Sequence, residues 1–385
     1  MPLHNTAIQM KFFKNQEMNK FYWSIFIMTF GERLINIFVP IYFYNLGFKI
    51  PEILSFYFLV SLFFVIFSFL GAQITSKIGE KLSILISTPF IILFYLGLTL
   101  ANTQSALFYI LPIFLAFRMI FFNYGFHLNF LKNSNQEKRG QELAFFGMIK
   151  LLATMLAPFI GGLIATIHFN ALFVVSSFLI FIGSVPLFLS SNKYQKIEFS
   201  SKSLFQNNLS KQNTGNLISF SAYAIESIIG RTIWPIFLIT ILGSINKTGL
   251  FISISMILSL LVFHFVGKLT DQINKIRMLK IGTVLYFFAW LGRAFADTSL
   301  KVLFVDSYKN LSEKILNIPW SAHSYDLAKR QDYFEFIVSR EIIFNFSRVL
   351  VFPFLIFLFY IDFHPFLISF LIASLFSLGY VFIDK

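Results

Sequence analysis

Counting 195 residues along this 385-residue chain carries its first half onto its second. Pro40-Ile-Tyr42 lands on Pro235-Ile-Phe237, and Pro158-Phe159 lands on Pro353-Phe354. The polar stretch Ala72-Gln-Ile-Thr-Ser-Lys-Ile-Gly-Glu-Lys81 lands on Gly267-Lys-Leu-Thr-Asp-Gln-Ile-Asn-Lys-Ile-Arg277, and each copy sits between two apolar runs. Three registrations at one offset, close to half the length, mark a duplicated unit. A duplication restricts the architecture to two like halves.

The repeated unit is not a soluble one. Charged residues make up 13% of the chain and hydrophobic residues 57%, where a soluble domain carries about 25% charged. The apolar runs recur at roughly 20 residues, the length of a helix that crosses a hydrocarbon core. Lipid offers the backbone no partner, so helices that close their own hydrogen bonds are the expected solution. Spans are predicted at 21–46, 53–73, 82–101, 106–129, 142–166 and 170–190, then 216–242, 248–267, 278–297, 300–325, 334–360 and 364–382. The first is too long for a signal-peptide core and lacks a small-residue cleavage site, so it is expected to remain. The expected domains are residues 1–190, a polar linker at 191–215 and residues 216–385. The tenth span carries Asp306, Lys309, Glu313 and Lys314, and hydropathy alone would reject it. The 195-residue register requires it as the partner of the fourth. Its polar positions 306, 309, 313 and 317 form one helical stripe, as on a span that faces water inside a bundle.

The net charge of +13 sits mostly between spans. There it sets orientation and makes nucleic-acid binding an unneeded explanation. The N-terminal lysines, Lys77, Lys81, Lys132, Lys138, Arg139, the linker lysines, Lys268, Lys275, Arg277, Lys280, Lys329 and Arg330 fall on one side. Lys49, Lys247, Arg293 and Lys301 fall on the other. Both termini are therefore expected in the cytoplasm, and the chain in the cell (inner or plasma) membrane as a multi-pass protein. Cysteine is absent, which excludes disulfides and thiolate chemistry. The 55 phenylalanines read as the bias of a lipid-facing sequence.

The two polar loops carry a resemblance. Gly267 and Asp271, with Lys275 and Arg277 behind them, are similar to the Gly-x-x-x-Asp-Arg-x-Gly-Arg-Lys loop of the major facilitator superfamily of secondary transporters. Gln272 and Asn274 depart from it. The first copy keeps Lys77, Gly79 and Lys81 but has Ala72 and Ser76 where the family has Gly and Asp. Ala157-Pro158-Phe-Ile-Gly161-Gly162 resembles the fifth-helix Gly-Pro-x-x-Gly-Gly signature of that family, and Arg118 resembles its fourth-helix arginine. The resemblance covers essentially the whole chain. It implies an all-α polytopic membrane protein of twelve transmembrane helices, in two pseudo-symmetric six-helix bundles. It also implies a solute site between the bundles, lined by the first, fourth, seventh and tenth helices, and a rocking motion that exposes it to each side in turn.

Those four helices independently carry the intramembrane charge. A charge at the bilayer centre costs at least about 2.5–3.5 kcal/mol, so each needs a role. Glu32, Asn36, Arg118, Glu226, Arg231, Asp306, Lys309 and Glu313 are the candidates for binding a solute or a proton. Arg33 is read as packing or cavity wall. Lys309 and Glu313 stand at i,i+4 and can pair with each other, which would leave Asp306 the freer acid. Arg118 and Glu313 occupy the same repeat position and are expected to pair between the halves in at least one conformation. Ser76, Lys77, Gly79, Pro158, Gly161, Gly162, Gly267, Asp271, Lys275 and Arg277 are the gating and structural motif positions. Lys150, Glu341, Asn345 and Arg348 lie outside the lining set, and His127 and His323 read as solvated interfacial residues.

No phosphate-binding glycine loop, metal-spaced ligand set or nucleophile–base constellation is present, so no cofactor, metal or enzymatic activity is expected. The reading is a secondary active transporter of a small solute by alternating access, coupled to protons. Its expected partners are that solute, H+ and the bilayer. One chain supplies both halves of the cavity, so a monomer suffices. A transport-inactive membrane sensor or scaffold and an integral-membrane enzyme acting on lipid-linked groups are the alternatives. The mixed signs of charge select neither an anionic nor a cationic solute.

Overall fold

The computed structural model describes residues 16–101, 106–133, 139–190, 197, 199–200, 204, 214–257, 275–329 and 332–383. Gly267 and Asp271 lie outside these, as do the side chains of Lys150 and Lys275. The described residues form helices throughout. The first span is broken into α1a (Gln16–Ile35) and α1b (Phe38–Asn45). There follow α2 (Ile50–Ile78), α3 (Glu80–Leu98), α4 (Leu107–Asn133), α5 (Arg139–Ile167) and α6 (Phe169–Phe188). The second set comprises α7 (Thr214–Leu242), α8 (described over Ile245–Ile257), α9 (Lys275–Ala294), α10 (Ser299–Lys329), α11 (Tyr333–Ile361) and α12 (Pro365–Ser377), which runs on into a 3-10 turn at Leu378–Phe382.

The elements obey the repeat closely. Advanced by 195, α3 becomes 275–293 against α9 at Lys275–Ala294, and α5 becomes 334–362 against α11 at Tyr333–Ile361. By length and apolar composition eight of the described spans are fit to cross a bilayer. The charged tenth, α10, is not among them, yet it is one unbroken helix of 31 residues. Successive spans run in opposite directions, α1a and α1b counting as one, so α1a begins and α12 ends on one face of the molecule, called here the terminal face. The opposite side is the far face.

Local chemistry explains the irregular points. Pro40 has no N–H for the Asn36 carbonyl one turn earlier, and its ring crowds that carbonyl. The helix accordingly breaks at Asn36–Ile37. Gly79 joins α2 to α3 at φ 90 and ψ 173, a region open essentially only to glycine. Its N–H closes α2 onto the Thr75 carbonyl at 2.8 Å. Ser76 turns its hydroxyl onto the Gln73 carbonyl at 2.9 Å, while Lys77 and, in α9, Arg277 are exposed. Lys81 donates to the carbonyls of Phe188 and Ser190 at the end of α6, where a cation meets the negative pole of the helix. At the crossing of α5 a Cβ on Gly161 would collide with the Leu34 carbonyl of α1a. Gly249 of α8 lies equally close to the Pro158 carbonyl. Small residues at these points let the backbones touch.

The phenylalanines do not simply face lipid. Phe38, Phe43, Phe56, Phe64, Phe94, Phe173 and Phe220 are fully buried. They pack largely edge to face, as Phe43 does on Phe108 at 5.3 Å and 79°. Lipid tails are as apolar as a bundle interior, so composition cannot tell the two apart. One aromatic core fills α1–α4 and α6. A second fills α7 and α9–α12, and α2 joins it along α11 through Leu54, Phe64 and Ala72.

Candidate functional site

At the end of α1a and midway along α4 lies the charged centre of the first six helices. Arg118, 4% exposed, donates to Glu32 Oε1 through one nitrogen and to Ser87 Oγ of α3 at 2.5 Å through another. Its guanidinium lies 3.8 Å over the Phe122 ring, one turn on. In this conformation Arg118 is thus held within the first half, and the expected Arg118–Glu313 pair is not formed. The repeat register places the two residues at equivalent positions but does not decide which neighbour each one takes. Asn36 and Arg33 are exposed rather than packed away.

The second six helices hold three separate acids. Glu226, 2% exposed on α7, accepts from Tyr286 (2.9 Å) and Trp290 Nε1 (3.0 Å) of α9 and from Tyr380 (2.7 Å). All three donors are neutral. Glu313 accepts from Lys309 Nζ at 2.8 Å and from Asn317 at 3.2 Å along α10, which realises the i,i+4 pairing. Asp306 is not the freer acid: it is ion-paired with Arg293 and accepts from Ser255 (2.6 Å) and Asn310 (3.3 Å). Arg293 was assigned to a loop from its place at a helix end, but the structure buries it to 2% exposure. Its guanidinium lies between the rings of Trp234 (3.9 Å) and Trp290 (4.7 Å). Those faces account for the two of its nitrogens that have no hydrogen-bond partner.

Towards the terminal face the two halves are tied together. Asn123 of α4 donates to Glu341 of α11 at 3.0 Å. His127 Nδ1 lies 2.6 Å from the Tyr325 hydroxyl of α10. Its Nε2 lies 3.1 Å from Arg340 Nη2, which also donates to Glu341 at 3.1 Å. Arginine can only donate, so Nε2 accepts and the Nδ1–H points to Tyr325. His127 is therefore a member of the inter-half junction and not a solvated bystander. Towards the far face α1b packs on α7, and Phe159 N of α5 donates to Ser253 Oγ of α8 at 3.1 Å.

Between these junctions Arg33 and Arg231 are exposed although both sit at mid-span. Arg231, Glu313 and Tyr223 of the second half bear electrostatically on Arg33, as does its neighbour Glu32. The two arginines therefore share one solvent-accessible neighbourhood at mid-span. Among the described residues Arg33 has no hydrogen bond or ion pair, and Arg231 reaches only the Tyr223 hydroxyl at 3.4 Å. Sequence reasoning did not find Tyr286, Trp290, Tyr380, Ser87 or Arg293. Aromatic donors and a lone serine on apolar helices carry no pattern that marks them. Among the described residues no three His, Asp or Glu side chains group as metal ligands.

No protein-family model matches the chain. No curated protein matches it in sequence. Solved structures do match in fold. A crystal structure of the E. coli fucose:proton symporter is 12% identical with a TM-score of 0.68, covering 94% of this chain and 96% of that one. The nucleoside transporter NupG is 13% identical with a TM-score of 0.70, covering 96% and 99%. A second structure of FucP, a Major Facilitator Superfamily transporter in the outward conformation, is 11% identical with a TM-score of 0.68, covering 95% and 98%. The chain therefore has the twelve-helix major facilitator fold and is a multi-pass membrane protein.

Proposed function

We propose that the chain is a secondary active transporter that moves a small solute by alternating access, coupled to protons. Residues 1–190 and 216–385 act as the two rocking bundles and 191–215 as their link. The terminal face is cytoplasmic and the membrane is the cell membrane. The observation that carries this reading is the meeting of charges from α1, α4, α7 and α10 at mid-depth between the bundles. The similar structures supply a precedent, since one is titled a fucose:proton symporter and another a nucleoside transporter.

Glu226 is the leading proton carrier among the candidate acids. Glu32, Asp306 and Glu313 each touch a cation, and protonating one of them would strand that cation. Glu226 touches only neutral donors. The hydroxyls of Tyr286 and Tyr380 can turn from donor to acceptor and so satisfy either protonation state. The junction of Asn123, His127, Tyr325, Arg340 and Glu341 serves as the gate on the terminal face, and the crossing of α5 with α8 at Pro158, Gly162 and Gly249 stays closed beside the far face. A transport-inactive sensor of the same fold would have its central charges mutually paired, and Arg33 and Arg231 are not. The test is flux in reconstituted vesicles with and without a pH gradient. The native protein is expected to accumulate solute faster with the gradient, and Glu226→Gln to retain exchange while losing that acceleration. If Glu226→Gln still responds to the gradient as the native protein does, the proton is carried elsewhere.

A further inference from the structure

We infer that the transported solute is an organic anion, whose carboxylate or phosphate is held between Arg33 of α1a and Arg231 of α7. This rests on the transporter reading and gives it a substrate class.

The charges at the centre do not balance. Each acid near the centre is already engaged: Glu32 by Arg118, Glu313 by Lys309, Asp306 by Arg293, Glu341 by Arg340 and Asn123, and Glu226 by three neutral donors. Arg33 and Arg231 are left over, and Arg348 of α11 stands behind Arg231. Arg348, 4% exposed, donates to the Asn345 side-chain oxygen at 3.1 Å, and its Nε has no partner. The charge of Arg231 acts on both Arg33 and Arg348, so three guanidinium groups share one neighbourhood whose acids, Glu32, Glu226, Glu313 and Glu341, are already committed to other donors.

Cations gathered around one internal space repel each other, and a bound anion relieves that repulsion. Arginine is the residue that grips carboxylate and phosphate with paired, parallel donors. The repeat adds a geometric reason. Asn36 and Arg231 are equivalent positions, 195 residues apart, and Arg33 lies one turn before Asn36 on the same side of its helix. Asn36 and Arg231 thus stand at like depth in the two halves, with Arg33 one turn away. Beside Arg231 the Tyr223 ring lies flat on Trp320, with centroids 5.0 Å apart and planes at 22°, which offers an apolar surface to the body of the solute.

The experiment uses the purified full-length protein in detergent. Thermal unfolding is recorded with succinate, inorganic phosphate, glucose or chloride at matched ionic strength. Succinate or phosphate is expected to raise the unfolding temperature, and glucose and chloride are not. Whichever oxyanion acts more strongly identifies the group recognised. Arg33→Gln and Arg231→Gln are each expected to weaken that anion about tenfold or more, a loss of roughly 1.4 kcal/mol per tenfold. Without anion Arg33→Gln should unfold above the native protein, because a charge repelled by Arg231 has been removed. A merely structural arginine such as Arg118 should show the opposite when changed to Gln. The inference fails if neither oxyanion shifts the native protein, if chloride matches them, or if the variants keep the full shift. Vesicle uptake of labelled succinate and phosphate separates the two readings. An anion that binds through Arg33 and Arg231 but is never transported upholds the site and overturns the transporter. A neutral solute transported without competition from either anion upholds the transporter and overturns the anion.

Discussion

Four positions of the second half form a polar cluster: Ser255, Arg293, Asp306 and Asn310. Their equivalents in the first half, 195 residues earlier, are Val60, Leu98, Leu111 and Leu115. Val60, Leu98 and Leu111 are buried in the first aromatic core and Leu115 packs against it. The same junction of the second, third and fourth helices of a bundle is thus made once with an ion pair and once with hydrocarbon. The fold does not demand charge there. A buried pair often stabilises no more than apolar side chains of similar volume, because desolvating both ions offsets their attraction. What the pair adds is intolerance, since neither partner can be lost alone, and it fixes how α8, α9 and α10 meet.

This contrast can be broken by substitution. The largest effect is expected from Asp306→Leu, which leaves Arg293 buried without its counter-ion and should cost roughly 3–5 kcal/mol. Loss of monodisperse folded protein and a lower unfolding temperature would report it. The double change Arg293→Leu with Asp306→Leu imports the first half's own solution and should recover most of that loss. A double variant as unstable as the single one would show that the halves are not interchangeable here. The central ion pairs sharpen the comparison further. Arg118→Gln removes the charged donor that Glu32 shares across two helices and should cost about 1.5–3 kcal/mol. Lys309→Met breaks a pair within one helix, with side chains 15% and 23% exposed. Asn317 still serves Glu313, so the loss should be smaller, on the order of 0.5 kcal/mol. Thermal unfolding of both variants tests the order, and a Lys309 effect equal to that of Arg118 would contradict it.

Most of the architecture was legible in the sequence because apolar run length and the 195-residue register constrain each other. The register recovered even α10, which its own charges disguise. Contacts were less legible. Arg293 was misplaced because a cation at the end of an apolar run looks the same whether it enters a loop or folds back between Trp234 and Trp290. Glu32 and Arg118 were both picked out, yet their pairing was missed, since a duplication names equivalent residues and not neighbouring ones. His127 was undervalued because its partners Tyr325 and Arg340 lie about 200 residues away. Glu226 was named among the candidates, but what sets it apart is its ring of aromatic donors, which no spacing announces.

The interruption of the first span at Asn36–Ile37 divides two duties between two short rods. The outer rod, α1b, leans on α7 at the far face. The inner rod, α1a, carries Glu32 and Arg33, and Arg118 anchors it through Glu32. A continuous helix would oblige both to move together. With a joint between them, the contact with α7 and the hold of Arg118 rest on separate rods of a single span.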